Sequence, residues 1–181
     1  MKKMVASARG LAAVALGFGL AGATQAAELG FVYARGAPGP GYAEVATLLG
    51  SGDTLRDAGV EGGAEAARSV ILNLLLGGKP PAAIRMATNR DAADLVAAGT
   101  MTDLSALAQA ENWPAAPACA FAGKVYCVPV SAGDGCVEAV FFPQQPDPAL
   151  TAAQFRLAAA ITGKGLLSAP APDCAVAGGG G

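Results

Sequence analysis

Residues 62–81 of the chain read GGAEAARSVILNLLLGGKPP, and residues 82–99 continue as AAIRMATNRDAADLVAAG. Apolar residues in the first stretch recur at the spacing of one helix face, which predicts a helix over residues 64–76. These apolar residues are Ala67, Val70, Ile71, Leu74 and Leu75. Gly77 suits the left-handed conformation that ends a helix, and the proline pair that follows prevents its continuation.

The second stretch predicts a strand followed by another helix. Residues 82–87 form a short apolar run, and residues 91–98 have a helical pattern that Asn89 or Asp91 would cap. Strand and helix therefore alternate along this part of the chain. Such an order implies a mostly parallel sheet that is covered by helices.

The flanking sequence extends the same alternation. Before the central block, we predict a strand over residues 29–33, a helix over 42–49 and a weak strand over 54–60. After the block, residues 124–130 are apolar on both faces, as is typical of a central strand in such a sheet. Further predictions are a short helix that begins near 102–103, a strand over 136–142, and a helix with Asp147 as its N-cap and Pro148 as its first residue.

Several of these sequence blocks resemble one protein family in their order and spacing. The blocks are the Gly62-Gly63 turn, the helix, the GG-x-PP break at 77–81, the TDL turn at 102–104 and the GKVY-x-VPV strand at 123–130. This order resembles the first lobe of the family 1 type of extracellular solute-binding proteins, which deliver sugars to bacterial ABC importers. Residues 136–174, with the DP-x-x-x-AAQ sequence at 147–154, resemble the C-terminal region of the same family.

The resemblance implies a fold and its partners. It implies a periplasmic-binding-protein-like α/β lobe with a mostly parallel sheet flanked by helices, whose second lobe is largely missing through an internal deletion. The implied function is the periplasmic sugar-binding component of an ABC import system, without a cofactor or a metal. The implied partners are a monosaccharide or small oligosaccharide and the membrane subunits of the permease.

Five residues are candidates for sugar binding. Tyr33 stands where the family often has a Trp-Trp pair, and its ring could stack on a sugar or pack as a half-buried strand aromatic. Glu44 corresponds to an acidic group near the start of the first helix, and Glu65 lies beside the glycine turn. Thr88 and Arg90 follow a strand, where open α/β sheets bind their ligands. For these last four residues, the alternative is a solvated or capping role.

The N-terminal residues predict export. A basic start with Lys2, Lys3 and Arg9 precedes an apolar stretch at 11–20, and Thr24-Gln25-Ala26 supplies the small residues of a cleavage site. We therefore expect a signal peptide over 1–26, the α/β domain over 27–168, a disordered Ala/Pro/Gly tail over 169–181, and a periplasmic location. The alternative is an uncleaved anchor, although the apolar stretch is shorter than a spanning helix requires.

Composition excludes several classes of function. The chain of 181 residues has no histidine, which excludes Ser-His-Asp hydrolases and zinc sites that use histidine. Without its first 26 residues it keeps nine basic and 14 acidic residues, a net charge of −5, so a nucleic acid is not an expected partner. Trp113, the only tryptophan, is expected to pack against the domain.

The four cysteines allow three disulfide pairings, which the sequence does not separate. They are Cys119, Cys127, Cys136 and Cys174. Two alternative functions stay open beside sugar transport. One is an exported interaction module that has lost its ligand, and the other is a small thiol enzyme built on Cys127 or Cys136.

Overall fold

A computed structural model describes residues 26–37, 40–50, 52–132 and 137–164 of the chain. Nearly all of the expected signal peptide and all of the expected tail lie outside these residues, as do Cys136 and Cys174. Within the described part of the chain, no helix combines the length and the hydropathy that crossing a membrane requires.

The described residues form seven strands and five α-helices. The strands are β1 (Glu28–Ala34), β2 (Thr54–Val60), β3 (Ala83–Ala87), β4 (Ala120–Phe121), β5 (Lys124–Val125), β6 (Cys127–Ala132) and β7 (Val137–Phe141). The helices are α1 (Tyr42–Ala46), α2 (Gly63–Leu76), α3 (Arg90–Ala97), α4 (Ser105–Ala110) and α5 (Pro148–Gly163). A 3-10 turn covers Pro117–Cys119, and β4 and β5 form a small separate hairpin.

Five strands build the main sheet in the order β2-β1-β3-β7-β6. Strand β1 runs parallel to both β2 and β3, whereas β7 runs antiparallel to both β3 and β6. Four of the five strands therefore point in one direction, and β7 alone is reversed. The predicted α/β class, with a mostly parallel sheet flanked by helices, is confirmed.

Helices cover both faces of this sheet. One hydrophobic cluster joins Phe31, Val140 and Phe142 of the sheet region to Val45 of α1 and Leu157 of α5. The other cluster joins Val32, Ile84 and Phe141 to Ile71 of α2 and Ala92 of α3. The chain therefore forms three layers, with α1 and α5 on one face and α2 and α3 on the other.

Two predictions need correction. Residues 124–130 were predicted as one central strand, but they divide between β5 and β6, and β6 forms an edge of the described sheet. Pro129 gives the physical reason, because proline has no N–H for a second neighbouring strand and is confined to edges and bulges. The pairing with β7 indeed shifts register between Pro129 and Ser131. The helix predicted over 42–49 is also shorter and ends at Ala46.

Candidate functional site

The topology leaves a crevice where β1 and β3 end. After β1 the chain turns to α1 on one face, whereas after β3 it turns to α3 on the opposite face. Ligands of open α/β sheets bind at such a switch point, outside the carboxyl ends of the strands. A cleft of about 520 Å³ lies at this position.

Both charged and apolar side chains line the cleft. Its charged and polar residues are Glu65, Arg68, Arg85, Asn89, Asp91 and Glu138. Its apolar residues include Ala34 at the end of β1, Ile71 of α2 and Met86 of β3. The cleft therefore offers hydrogen-bond acceptors and donors beside an apolar surface.

Arg85 is the most deeply buried charged residue of the cleft. Its side chain, on the central strand β3, is 1% exposed. The guanidinium donates hydrogen bonds to the carbonyl oxygens of Pro40, Ala34 and Ala37, the last two at 3.1 and 3.2 Å. Arg85 therefore fixes the loop after β1 against β3, and desolvation by burial lowers the pKa of its guanidinium.

Glu138 of β7 lies beside Arg85 on the same face of the sheet. One of its carboxylate oxygens, Oε2, is 3.8 Å from Arg85 Nε. Desolvation by burial raises the pKa of the Glu138 carboxyl, and the positive charge of Arg85 opposes that rise only in part. The site therefore keeps a desolvated carboxyl group next to a desolvated guanidinium.

Helices α2 and α3 supply the other charged pair of the cleft. Arg68 Nε on α2 is 2.9 Å from Asp91 Oδ2 in the first turn of α3. Asn89 caps α3, since its side chain accepts a hydrogen bond from the Ala92 amide at 3.3 Å. These contacts hold the helix that forms one wall of the cleft. No group of three or more metal-ligating side chains occurs within the described ranges.

Only one of the five predicted sugar-binding residues, Glu65, lines the cleft. The ring of Tyr33 is 6% exposed and stacks on Phe31 at 5.1 Å between ring centroids. The guanidinium groups of Arg35 and Arg85 lie 5.6 and 5.3 Å from the centroid of the Tyr33 ring. Tyr33 is therefore part of the core, which is the packing role that its strand position also allowed.

The other three predicted residues lie away from the cleft lining. The Glu44 carboxylate accepts a hydrogen bond from the Gly41 amide at 3.0 Å and so caps α1. Thr88 is 1% exposed, and its Oγ1 finds no hydrogen-bond partner among the described residues. Arg90 is an exposed residue of the first turn of α3. For Glu44 the capping role explains the observed contact without a ligand.

One disulfide is present in the described part of the chain. Cys119, in the 3-10 turn, is bonded to Cys127, the first residue of β6, with 5.0 Å between their Cα atoms. Both residues are buried. Cys127 is therefore not the free thiol that a thiol enzyme would need.

Two charged residues that line the cleft and are largely buried were not predicted from the sequence. Arg85 and Glu138 each lie within an apolar strand, and a charge at such a position is itself a signal, because it must be paired or functional when buried. The proximity of these two residues, which are 53 positions apart in the sequence, has no such signal, since it depends on the pairing of β3 with β7. That pairing has no local signature.

The fold of this chain is similar to parts of several solved structures, but its sequence matches no known family. No protein-family model matches it, and no curated protein matches it in sequence. An ABC substrate-binding protein from Listeria monocytogenes in complex with cycloalternan is 15% identical, with a TM-score of 0.49 over 59% of this chain and 29% of that chain. The galacto-N-biose-/lacto-N-biose I-binding protein of an ABC transporter from Bifidobacterium longum is 12% identical, with a TM-score of 0.47 over 60% of this chain and 29% of that chain.

A third such structure is the ABC transporter associated binding protein from B. animalis subsp. lactis in complex with beta-1,6-galactobiose. It is 18% identical, with a TM-score of 0.45 over 60% of this chain and 27% of that chain. The chain thus spans less than a third of the length of each of these proteins. All three are described as binding proteins of ABC systems.

Proposed function

We propose that this chain is the periplasmic sugar-binding component of a bacterial ABC import system and that the cleft at the ends of β1 and β3 holds the sugar for delivery to the membrane permease. The observation that carries the proposal is the position of the cleft at the switch point of the sheet, with charged groups around it. In this proposal residues 1–26 are the signal peptide, residues 27–168 the binding domain and residues 169–181 a tail.

The side chains of the cleft suit a polyhydroxylated ligand. Carboxylates accept hydrogen bonds from sugar hydroxyls, and guanidinium and amide groups donate to them. Glu65 and Asp91 supply acceptors, Arg68 supplies donors, and Asn89 can do both. The apolar wall formed by Ile71 and Met86 suits the C–H face of a sugar ring.

The proposed affinity is low. The described residues form an open cleft on one lobe, and a sugar bound there keeps part of its hydroxyls in water. Receptors with two lobes gain affinity because the lobes close around the ligand. We expect dissociation constants in the millimolar range, a binding free energy of about −4 kcal/mol, for monosaccharides and small oligosaccharides.

Titration calorimetry of the exported protein against a panel of monosaccharides and disaccharides tests this proposal. Glu65→Gln removes one acceptor from the cleft and should weaken binding of the preferred sugar about fivefold, the equivalent of one hydrogen bond of about 1 kcal/mol. Glu61→Gln is the matched control, because Glu61 is an exposed acidic residue four positions earlier that lies outside the cleft. It should leave the affinity unchanged.

Three results would contradict the proposal. Micromolar binding would contradict the low affinity that we expect for a cleft without a second lobe. Binding that both glutamate variants weaken equally would place the sugar outside the cleft. A chain that binds no member of the panel at tens of millimolar would remove the sugar-binding role.

A further inference from the structure

The residue before β1 contacts a buried carboxylate. The Ala27 amide donates a hydrogen bond to Asp53 Oδ1 at 3.1 Å, and the Ala27 carbonyl oxygen accepts one from the Thr54 amide at 2.9 Å. Ala27 is therefore fixed at the start of the pairing between β1 and β2. The residue before it, Ala26, is exposed.

Asp53 is held by a second partner, Arg156 of α5. The guanidinium of Arg156 donates from Nε to Asp53 Oδ2 at 2.7 Å and from Nη2 to Oδ1 at 2.8 Å. The Asp53 side chain is 8% exposed. The hydrogen bonds from Arg156, and then the one from the Ala27 amide, lower the pKa of its carboxyl, so Asp53 is ionised at neutral pH.

A small cavity lies next to this pair. It measures about 90 Å³, and its lining includes Ala26, Leu48, Leu49, Asp53 and Arg156. The sequence places a change of chemistry at this same point. Thr24-Gln25-Ala26 ends a basic and then apolar leader, which predicts cleavage between Ala26 and Ala27.

We propose that the Ala26–Ala27 bond is the processing site and that the new α-ammonium group of Ala27 binds Asp53, completing a cluster of one carboxylate and two cations with Arg156. A signal endopeptidase hydrolyses the bond. Water adds its hydroxyl to the Ala26 carbonyl carbon as the C–N bond breaks, which releases the leader as a carboxylate and leaves Ala27 with an amine that takes up a proton.

This reaction gives the donor a charge. The amide N–H that donates to the ionised carboxylate at 3.1 Å becomes an ammonium group, so both partners of the hydrogen bond are then charged and the contact gains an ion-pair attraction. The acidic residue next to Ala27 in the sequence, Glu28, is bound to Arg56 at 2.9 Å and is exposed. Processing would therefore tie the start of β1 to both β2 and α5, independently of any sugar binding.

Mass spectrometry and NMR test the two halves of the proposal. Protein exported in a bacterial host should have a mass that begins at Ala27. The pKa of its α-amino group, followed by NMR, should lie above the ordinary range of about 7.7 to 8.0 for such groups. The stabilisation should be fully present below that range and should be lost as the pH rises through the raised pKa.

Three variants identify the partner of the ammonium group. Asp53→Asn should return the α-amino pKa to the ordinary range, whereas Glu28→Gln, which removes an exposed acid nearby, should leave it raised. A chain that starts at Ala26 and keeps Asp53 moves the ammonium group by one residue. It should show an ordinary pKa, and it gives the comparison that does not depend on the folding of the Asp53 variant.

Two results would overturn the proposal. One is a mature chain that begins at a residue other than Ala27. The other is an α-amino pKa in the ordinary range for the chain that begins at Ala27.

Discussion

The pair of Arg85 and Glu138 shows how single residues set the chemistry of the cleft. Both lie on strands in the middle of the sheet, and neither is as costly as an isolated buried charge. Arg85 is compensated by three backbone carbonyls, and Glu138 by the positive charge of Arg85. For Glu138 the positive charge of Arg85 offsets only part of the cost of burial, since burial still raises the pKa of its carboxyl. The pair is therefore a polar site maintained at some cost in stability.

We predict that Glu138→Gln changes how the free energy of unfolding depends on pH. The pKa of Glu138 is higher in the folded protein than the ordinary value of about 4.3, so folding disfavours its ionised form. Relative to the variant, the wild-type protein should gain stability as the pH falls through the raised pKa toward 4. Urea unfolding at a series of pH values from 7 down to about 2 measures this difference.

Asp57→Asn is the control with the opposite sign. The Gly59 amide and Arg35 lower the pKa of the Asp57 carboxyl in the folded protein. Its contribution should therefore be present above pH 4 and lost as the pH falls through the lowered pKa. If both variants changed with pH in the same direction, the desolvation of Glu138 would be the wrong explanation.

At the scale of elements, local sequence signals predicted most helix boundaries. They did not predict the order of the strands in the sheet, which depends on how the strands pair. Helix α2, the Asn89 cap of α3 and the Asp147 cap of α5 all depend on neighbouring residues, and the structure has each of them. The left-handed conformation predicted for Gly77 is wrong, because Gly77 has a φ of −76° and Gly78 takes that conformation instead, with a φ of 66°. The order of strands depends on contacts between distant residues, so the sequence placed β6 in the middle of the sheet. Pro129 was the available signal against that position.

The disulfide joins the 3-10 turn, which contains Cys119, to β6, which begins at Cys127. We predict that it stabilises the fold. Closing a loop between cysteines eight positions apart is worth about 2 to 3 kcal/mol in the chain-entropy model. The double variant Cys119→Ser/Cys127→Ser should therefore lose about that much free energy of unfolding. Urea unfolding of the wild-type protein and of the variant, both without a reductant, measures this difference.

Peptide mapping checks the pairing itself. Trypsin cleaves after Lys124, and a second protease that cleaves before Asp134 separates Cys127 from Cys136. After both digestions the bond should appear as two peptides, one with Cys119 and one with Cys127, that separate on reduction. Peptides that carry Cys119 and Cys127 without a link under non-reducing conditions would contradict the pairing.

At the scale of the whole molecule, the described residues form a single body of three layers. The sequence predicted the α/β class and the parallel strands, because helix and strand patterns alternate. It did not predict which face of the sheet α5 packs against. The described residues of α5 bury Leu157 and Ile161 against the same cluster as Phe31 of β1, and Gln154 donates hydrogen bonds to the carbonyl oxygens of Ala82 and Pro143.

This closure predicts that α5 unfolds together with the sheet rather than as a separate unit. Leu157→Ala removes a fully buried side chain from the contact and should lower the free energy of unfolding by about 3 kcal/mol. Leu76→Ala is the matched control, because Leu76 is 86% exposed at the end of α2 and should change stability by less than about 0.5 kcal/mol. Urea unfolding followed by circular dichroism and by the fluorescence of Trp113, which packs against the same cluster, should give coincident curves for both variants. A separate early transition in Leu157→Ala, seen by circular dichroism and not by Trp113 fluorescence, would contradict this prediction. It would mean that the sheet folds without α5 and that α5 is not a required layer of the core.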